Sequence, residues 1–206
     1  MQRFEKLRTA LRYWLQGAAD HEPSYVVAIR AFDFAMERHV GTRKDGVTPE
    51  FMHQLETAQF VRTLRGSLLY PAETIATMLL HDVHEDYGAP FAQLRDLFGP
   101  RVERAVRQLS KVREGVRISN EQYFGEMDCP IATVCKGSDR VNNQQSMLGV
   151  FTAAKQLQYI AETEQFILPM LKRSRRQHPE QEGAYENLKW VLRSQIQLLK
   201  AVNNVT

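Results

Sequence analysis

Apolar residues recur with helical spacing along almost the whole chain. Between residues 3 and 16 they fall three and four positions apart, which is typical of an amphipathic helix. A second helical segment opens at Pro23, and others are indicated over Ile75 to Asp86, Pro100 to Lys111 and Ile131 to Asn142. We find no stretch that alternates apolar and polar residues as a half-buried strand does. The pattern therefore predicts an all-α fold.

Proline, glycine and polar residues predict where these helices begin and end. A polar break is expected from Gly41 to Val47, followed by a helix with Thr48 as its N-cap and Pro49 at its first position. Three further segments are predicted: a polar loop over 113–120, a long helix over 146–176 with a kink at Pro169, and a closing helix within 180–206. The expected architecture is a helical bundle of roughly eight to ten helices.

Length and composition limit the class of protein. The 206 residues suffice for one domain, 1–206, with a sizeable core. A net charge of +3 does not indicate a nucleic-acid partner, and no apolar run approaches the roughly 18 residues of a membrane span. The N-terminus lacks the features of a secretory signal, and Cys129 and Cys135 are expected to be reduced thiols. We therefore predict a cytoplasmic protein with a small-molecule substrate; a homo-oligomer is compatible with the sequence.

The strongest local motif contains His81, Asp82, Glu85 and Asp86. In a continuous helix His81 and Glu85 share a face, with Asp82 and Asp86 beside them. Carboxylates near a buried apolar run need partners, and a divalent metal ion would provide one. The motif alone also fits a helix end with solvated acids. Two further residues favour the metal: His53 on an earlier predicted helix, and Asp139 on a later one.

The order His, His-Asp, Asp on separate helices resembles that of the HD-domain phosphohydrolases. The chain is more closely similar to the hydrolase domain of the RelA/SpoT family, which degrades the alarmone (p)ppGpp. The resemblance spans about residues 25–170. It rests on spaced motifs, namely Arg43-Lys44-Asp45-Gly46, Pro49 with His53, Leu80-His81-Asp82, Glu85-Asp86, Phe98-Gly99, Ser110-Lys111, Lys136 with Asp139, Arg140 and Asn143, and Ile160-Ala161-Glu162-Thr163. The family's synthetase domain has no counterpart in the chain, so a small stand-alone hydrolase is expected.

This resemblance implies an all-α HD domain and a set of site residues. It implies hydrolysis of the 3′-diphosphate of (p)ppGpp to GDP or GTP and pyrophosphate, with Mn²⁺ or another divalent transition metal as cofactor. The implied roles are metal ligands His53, His81, Asp82 and Asp139, water-orienting and proton-handling residues Glu85 and Asp86, base and phosphate contacts Arg43 and Lys44, and ribose-side contacts Asn143 and Ser146.

The chain also departs from the family pattern. Glu50 and Phe51 replace a Tyr-Ile pair, Gln54 replaces a proline, and Tyr87 replaces a threonine. His84 stands where the family has a small apolar residue, and we expect it to pack rather than to reach the site. These departures keep two alternatives open: an HD-type deoxynucleoside triphosphohydrolase or nucleotidase, and a non-catalytic module that binds the alarmone or a partner.

Overall fold

A computed structural model describes residues 2–113 and 115–204 as an almost entirely helical chain. The helices are α1 Gln2–His21, α2 Val26–Met36, α3 Met52–Thr63, α4 Pro71–Leu80, α5 Val83–Tyr87, α6 Phe91–Phe98, α7 Pro100–Leu109, α8 Asn120–Glu126, α9 Pro130–Ser146, α10 Ala153–Glu162, α11 Leu168–Gln177 and α12 Glu182–Val202. Ten of these have eight residues or more, which agrees with the predicted number. The predicted all-α class is confirmed.

Shorter elements join the α-helices. There are 3₁₀ turns at Pro23–Tyr25, Arg65–Ser67 and Pro179–Gln181, and a π-helical turn at Thr163–Ile167. Strands β1 Val112–Arg113 and β2 Val116–Arg117 pair antiparallel. Across the described residues, no helix combines the length and the apolar character that a membrane crossing would require.

The centre of the molecule is α4, which packs against α2, α3, α7 and α9. Its residues from Thr74 to Leu80 are all buried, which explains why the sequence there is an almost unbroken apolar run. Each fully buried leucine or isoleucine contributes roughly 1.5–3 kcal/mol relative to an exposed one. Helix α9 packs against α4 and also against α11 and α12. The close approach to α12 requires Gly137, because a Cβ there would lie 3.0 Å from Leu188 Cδ1.

The predicted N-cap at Thr48 is wrong. Asp45 accepts hydrogen bonds from the Thr48 backbone N–H at 2.8 Å and from its hydroxyl at 2.5 Å, so this threonine closes the loop before the helix. Thr42 and Pro49 form an isolated antiparallel bridge, and α3 begins only at Met52. The turn-forming tendency of aspartate outcompeted the helix-start motif.

The predicted continuous helix from Ile75 to Asp86 is also interrupted. Helix α4 ends at Leu80, and α5 begins at Val83. The Nδ1–H of His81 donates to the Met78 carbonyl at 2.7 Å, taking an acceptor at the end of α4. Such a local side-chain bond competes with the helical backbone pattern. His81 and Asp82 therefore lie on a turn rather than within a helix.

Two later segments differ from the predictions. The predicted loop 113–120 includes Glu114, which lies outside the described residues. The remainder of the loop contains residues of the β1–β2 pairing. It also contains Ser119, whose hydroxyl caps α8 by accepting a hydrogen bond from the Gln122 N–H. The predicted long helix 146–176 breaks at 147–151, where Thr152 caps the start of α10. The expected irregularity near Pro169 is present as the π-helical turn immediately before α11, since proline lacks the N–H that a regular helix needs.

Candidate metal centre

Three separate elements bring the predicted ligands together. His53 lies on α3, His81 and Asp82 lie on the turn between α4 and α5, and Asp139 lies on α9. The packing of α3, α4 and α9 against one another directs these side chains to one point. His53, His81 and Asp139 are buried, whereas Asp82 is partly exposed. The site therefore has a buried inner end and one side that is open to solvent.

The donor atoms are close enough to share one cation. His53 Nε2 lies 3.3 Å from His81 Nε2 and 3.2 Å from Asp139 Oδ1. His81 Nε2 lies 2.9 Å from Asp82 Oδ2 and 3.9 Å from Asp139 Oδ1. One donor atom each from His53, His81 and Asp82 falls within 4.8 Å of the other two, so these residues could hold a metal ion. Asp139 Oδ1 lies next to this group, within 3.9 Å of the Nε2 atoms of both imidazoles.

The hydrogen bonds of the two imidazole rings fit a cation between them. His53 Nδ1 lies 2.7 Å from the amide oxygen of Asn142, and His81 Nδ1 lies 2.7 Å from the carbonyl oxygen of Met78. Both partners only accept, so each Nδ1 carries the ring hydrogen. In the neutral rings both Nε2 lone pairs would then face each other at 3.3 Å. That arrangement is repulsive unless a proton or a metal ion lies between them.

The pKa values follow from the same crowding of charges. Burial by itself would lower the pKa of His81, but the carboxylates of Asp82 and Asp139 raise it to about 9. Burial would raise the pKa of Asp139, but Lys136 and the two histidines hold it well below its usual range. Lys136 Nζ donates to Asp139 Oδ2 at 3.0 Å, and Asn143 Nδ2 donates to Asp139 Oδ1 at 2.6 Å. The cluster thus attracts positive charge into a buried position.

Two cavities meet at this cluster. The first, of about 540 Å³, is lined by His53, Asp82 and Asp139 and also by all four predicted substrate contacts, Arg43, Lys44, Asn143 and Ser146. The second, of about 480 Å³, is lined by the same two aspartates, by His81 and by five cations: Lys111, Arg117, Lys136, Arg140 and Lys155. Glu85 lines the second cavity, and Asp86 lines both. Every predicted site residue therefore borders at least one of the two cavities.

The two predicted proton-handling residues occupy different positions. The Glu85 carboxylate accepts from the Lys111 backbone N–H at 3.1 Å and faces an Arg117 guanidinium nitrogen at 3.4 Å, so it also fixes the β1–β2 segment. Asp86 forms no such ion pair with any of the described residues. Partial desolvation, with the charges of Asp82 and Glu85, raises the pKa of Asp86.

His84 packs, as expected: its ring stacks on Phe91 with centroids 3.8 Å apart.

Two contacts at the site were not predicted. Asn142 fixes His53, and Gln54 Nε2 donates to Asp82 Oδ2 at 3.4 Å. Asn142 follows Asp139 by three residues on one helix, and that spacing could have indicated a position on the same face. Gln54 carries no comparable pattern.

The chain matches the family model described as HD domain over residues 31–148, which is more than half of its length. It therefore belongs to the HD domain family. The predicted resemblance to the RelA/SpoT enzymes is confirmed by named relatives. The chain is 28% identical over 167 residues to guanosine-3′,5′-bis(diphosphate) 3′-pyrophosphohydrolase of Aquifex aeolicus, covering 77% of this chain and 23% of that protein.

Two other relatives give a similar picture. Over 154 residues the chain is 29% identical to GTP pyrophosphokinase rsh of Brucella ovis, covering 70% of this chain and 20% of that protein. Over 180 residues it is 27% identical to a probable guanosine-3′,5′-bis(diphosphate) 3′-pyrophosphohydrolase of Synechocystis, covering 81% of this chain and 23% of that protein. The chain thus spans less than a quarter of the length of these relatives.

Proposed function

We propose that this protein hydrolyses the 3′-diphosphate of (p)ppGpp, giving GDP or GTP and pyrophosphate, with Mn²⁺ as cofactor. The observation that carries the proposal is the convergence of four HD-type donors at the junction of two cavities that also contain the cationic residues matched to the RelA/SpoT pattern. Two of the relatives, named a 3′-pyrophosphohydrolase and a probable 3′-pyrophosphohydrolase of guanosine-3′,5′-bis(diphosphate), support the same substrate.

In this proposal His53, His81, Asp82 and Asp139 hold the metal ion. Two imidazole nitrogens and two carboxylates suit Mn²⁺, and also Fe²⁺ or Zn²⁺. When bound, such an ion lowers the pKa of water and polarises a phosphate oxygen. The carboxylate of Asp82 is the ligand on the open side of the site, since it is partly exposed and lines both cavities. Substrate would approach from that side.

Glu85 and Asp86 orient the attacking water and handle its protons. The water oxygen forms a bond to the phosphorus attached to the ribose 3′-oxygen; the bond between that phosphorus and the 3′-oxygen breaks, and the electron pair stays on the 3′-oxygen. A proton must reach this leaving oxygen. The raised pKa of Asp86, caused by partial desolvation and by Asp82 and Glu85, favours a carboxyl group that can hold a proton.

The two cavities divide the substrate between them. The second cavity is lined by five cations and by five carboxylates, Asp82, Glu85, Asp86, Asp139 and Glu162. With all five carboxylates ionised, a divalent ion would leave a net charge of about +2 for a diphosphate. Arg43 and Lys44 line the first cavity, and we assign them to the base and its phosphates. Lys44 Nζ is 5.1 Å from the Phe151 ring centroid, which places an aromatic surface beside the cation. Asn143 and Ser146 also line the first cavity, and we assign them to the ribose.

A substrate panel tests the proposal. The purified protein, loaded with Mn²⁺, is incubated with ppGpp, pppGpp and the deoxynucleoside triphosphates, and the products are separated by anion-exchange chromatography. We expect GDP or GTP with an equal amount of pyrophosphate, and no product from an Asp139→Ala variant. Faster release of triphosphate from deoxynucleotides would favour the alternative HD class. No turnover of any nucleotide by the metal-loaded protein would favour the non-catalytic alternative.

A further inference from the structure

A chain of hydrogen bonds runs from the metal centre to the N-terminal helix. His53 Nδ1 lies 2.7 Å from Asn142 Oδ1, and Asn142 Nδ2 donates to Glu56 Oε2 at 2.9 Å. The other carboxylate oxygen, Glu56 Oε1, accepts from Arg3 Nη2 at 2.6 Å. These four residues, Arg3, Glu56, Asn142 and His53, connect α1, α3 and α9 and are here called the relay. Asn142 and Glu56 are not among the residues matched to the family pattern.

The direction of every hydrogen bond in the relay follows from its chemistry. The Glu56 carboxylate, paired with Arg3, only accepts hydrogen bonds, so the Asn142 amide must present its NH₂ group to Glu56. The Asn142 oxygen then faces His53, and the His53 Nδ1 must carry the hydrogen. The unprotonated Nε2 is left to face His81 and Asp139. With the opposite direction, a hydrogen on Nε2 would point at the position of the metal ion.

The burial of the relay decreases from the metal centre outward. His53 is 6% exposed and Asn142 is 8% exposed, whereas the side chain of Glu56 is 22% exposed and that of Arg3 is 79% exposed. A buried hydrogen bond is costly to leave unmade, because water cannot replace the missing partner. An exposed ion pair contributes little. The influence of each relay residue on His53 should therefore decrease in the order Asn142, Glu56, Arg3.

We infer that Asn142 and Glu56 are positioning residues of the metal centre, which fix the tautomer and the ring orientation of His53, and that α1 contributes to the centre through Arg3. The inference rests on the proposed role of His53 as a ligand. It concerns binding of the metal ion and not the identity of the substrate. Hydrogen-bond partners of ligating histidines commonly affect metal affinity by about 10- to 100-fold.

The metal affinity of variants provides the main test. Binding of Mn²⁺ to the metal-free protein is measured by titration calorimetry. Asn142→Ala should weaken binding by about 10- to 100-fold, Glu56→Ala less, and Arg3→Ala least. Three relay residues, Arg3, Glu56 and Asn142, line a groove between α1, α3 and α9. Gln59 and Lys6 line this groove too but lie outside the relay, so Gln59→Ala and Lys6→Ala are the matched controls. Both controls should bind Mn²⁺ as the parent protein does.

A double substitution that exchanges the Asn142 amide and the Glu56 carboxylate distinguishes a positioning role from a role in folding. Asn142→Asp alone places two carboxylates beside each other and should weaken binding. Adding Glu56→Gln restores a donor to the new carboxylate and an acceptor for Arg3, so the double variant should recover most of the affinity. The His53 tautomer is observed independently in the metal-free protein by ¹⁵N NMR of labelled histidine, at a pH at which that ring is neutral. Nδ1 should carry the hydrogen in the parent, and the tautomers should mix in Asn142→Ala.

The outcomes distinguish this inference from the proposed function. A parent protein that binds no Mn²⁺ would overturn the metal centre itself. Unchanged Mn²⁺ affinity in Asn142→Ala, or an unchanged His53 tautomer, would overturn only the relay. If Asn142→Ala fails to fold, the exchange variant decides. A folded double variant that binds Mn²⁺ more tightly than Asn142→Asp, with parent-like affinity, supports the relay. A folded double variant that binds Mn²⁺ no better than Asn142→Asp refutes it.

Discussion

Removal of the Asp139 carboxylate should abolish metal binding and should also lower the stability of the metal-free protein, and the two effects can be measured independently. The side chain of Asp139 is 11% exposed and that of its partner Lys136 is 18% exposed. Asp139→Ala leaves the largely buried ammonium group of Lys136 without its carboxylate, and Asn143 without its acceptor. Breaking a buried pair from one side costs about 3–5 kcal/mol. Relief of the repulsion between Asp139 and Asp82 offsets part of this loss, so we expect the lower value, about 3 kcal/mol.

For a chain of this length, about 3 kcal/mol corresponds to a fall of roughly 6–12 °C in the melting temperature. The protein should remain helical at 25 °C, while Mn²⁺ binding and turnover are abolished. The assay is thermal unfolding by circular dichroism of the metal-free protein, with calorimetric Mn²⁺ titration on the same samples.

The matched control is the double variant Lys136→Met with Asp139→Ala. Replacing both partners of a buried ion pair with apolar groups is often neutral or stabilising, so this variant should regain most of the lost stability and still bind no metal. Metal binding at parent affinity in Asp139→Ala would refute the four-donor set. The same low melting temperature in the double variant would refute the assignment of the stability loss to the unpaired Lys136.

Three further predictions concern single positions. Glu85→Gln should retain Mn²⁺ and lose most turnover, because Glu85 lines the second cavity without belonging to the proposed donor set; a loss of metal content on elemental analysis would instead place Glu85 among the ligands. Arg43→Ala should raise KM for ppGpp more than it lowers kcat, because the contact is shared by the ground and transition states; steady-state kinetics showing the reverse would exclude Arg43 as a simple binding contact. Gly137→Ala should lower the free energy of unfolding by about 1–2 kcal/mol in urea titrations, because the added Cβ meets Leu188 at 3.0 Å and Leu171 at 3.2 Å, and this overpacking exceeds the gain in helix propensity of about 1 kcal/mol. A more stable Gly137→Ala protein would show that α12 shifts to accommodate the methyl group.

The sequence was sufficient to predict the helical class because apolar spacing reports which face of each segment is buried. It failed where a side chain competes with the backbone. Asp45 accepts a hydrogen bond from Thr48, and α3 begins later than predicted. His81 donates to the Met78 carbonyl, and α4 ends before His81. Helix periodicity contains no information about these local hydrogen bonds. The interruption at His81 nevertheless leaves the predicted donors together, because packing of α3, α4 and α9, and not one continuous helix face, sets their positions.

The residues that complete the site depend on contacts between distant parts of the chain. Asn142 and Glu56 are 86 positions apart, and Arg3 and Glu56 are 53 apart, so no local pattern could connect them. The cation-lined cavity is similar, since its five cations come from the segment after α7, from α9 and from α10. Motif spacing identified the chemical groups on each helix. Only the packed structure identifies which of them meet.

The most direct measurement of the central claim is the fate of water oxygen during turnover of ppGpp. The Mn²⁺-loaded protein is incubated with ppGpp in H₂¹⁸O, and the products are analysed by mass spectrometry, with a metal-free sample as control. We predict one ¹⁸O atom in the released pyrophosphate, none in GDP, and no reaction without metal, because water attacks phosphorus and the ribose 3′-oxygen leaves. Label in GDP, equal turnover without metal, or intact ppGpp in the presence of protein with bound Mn²⁺ would contradict the account.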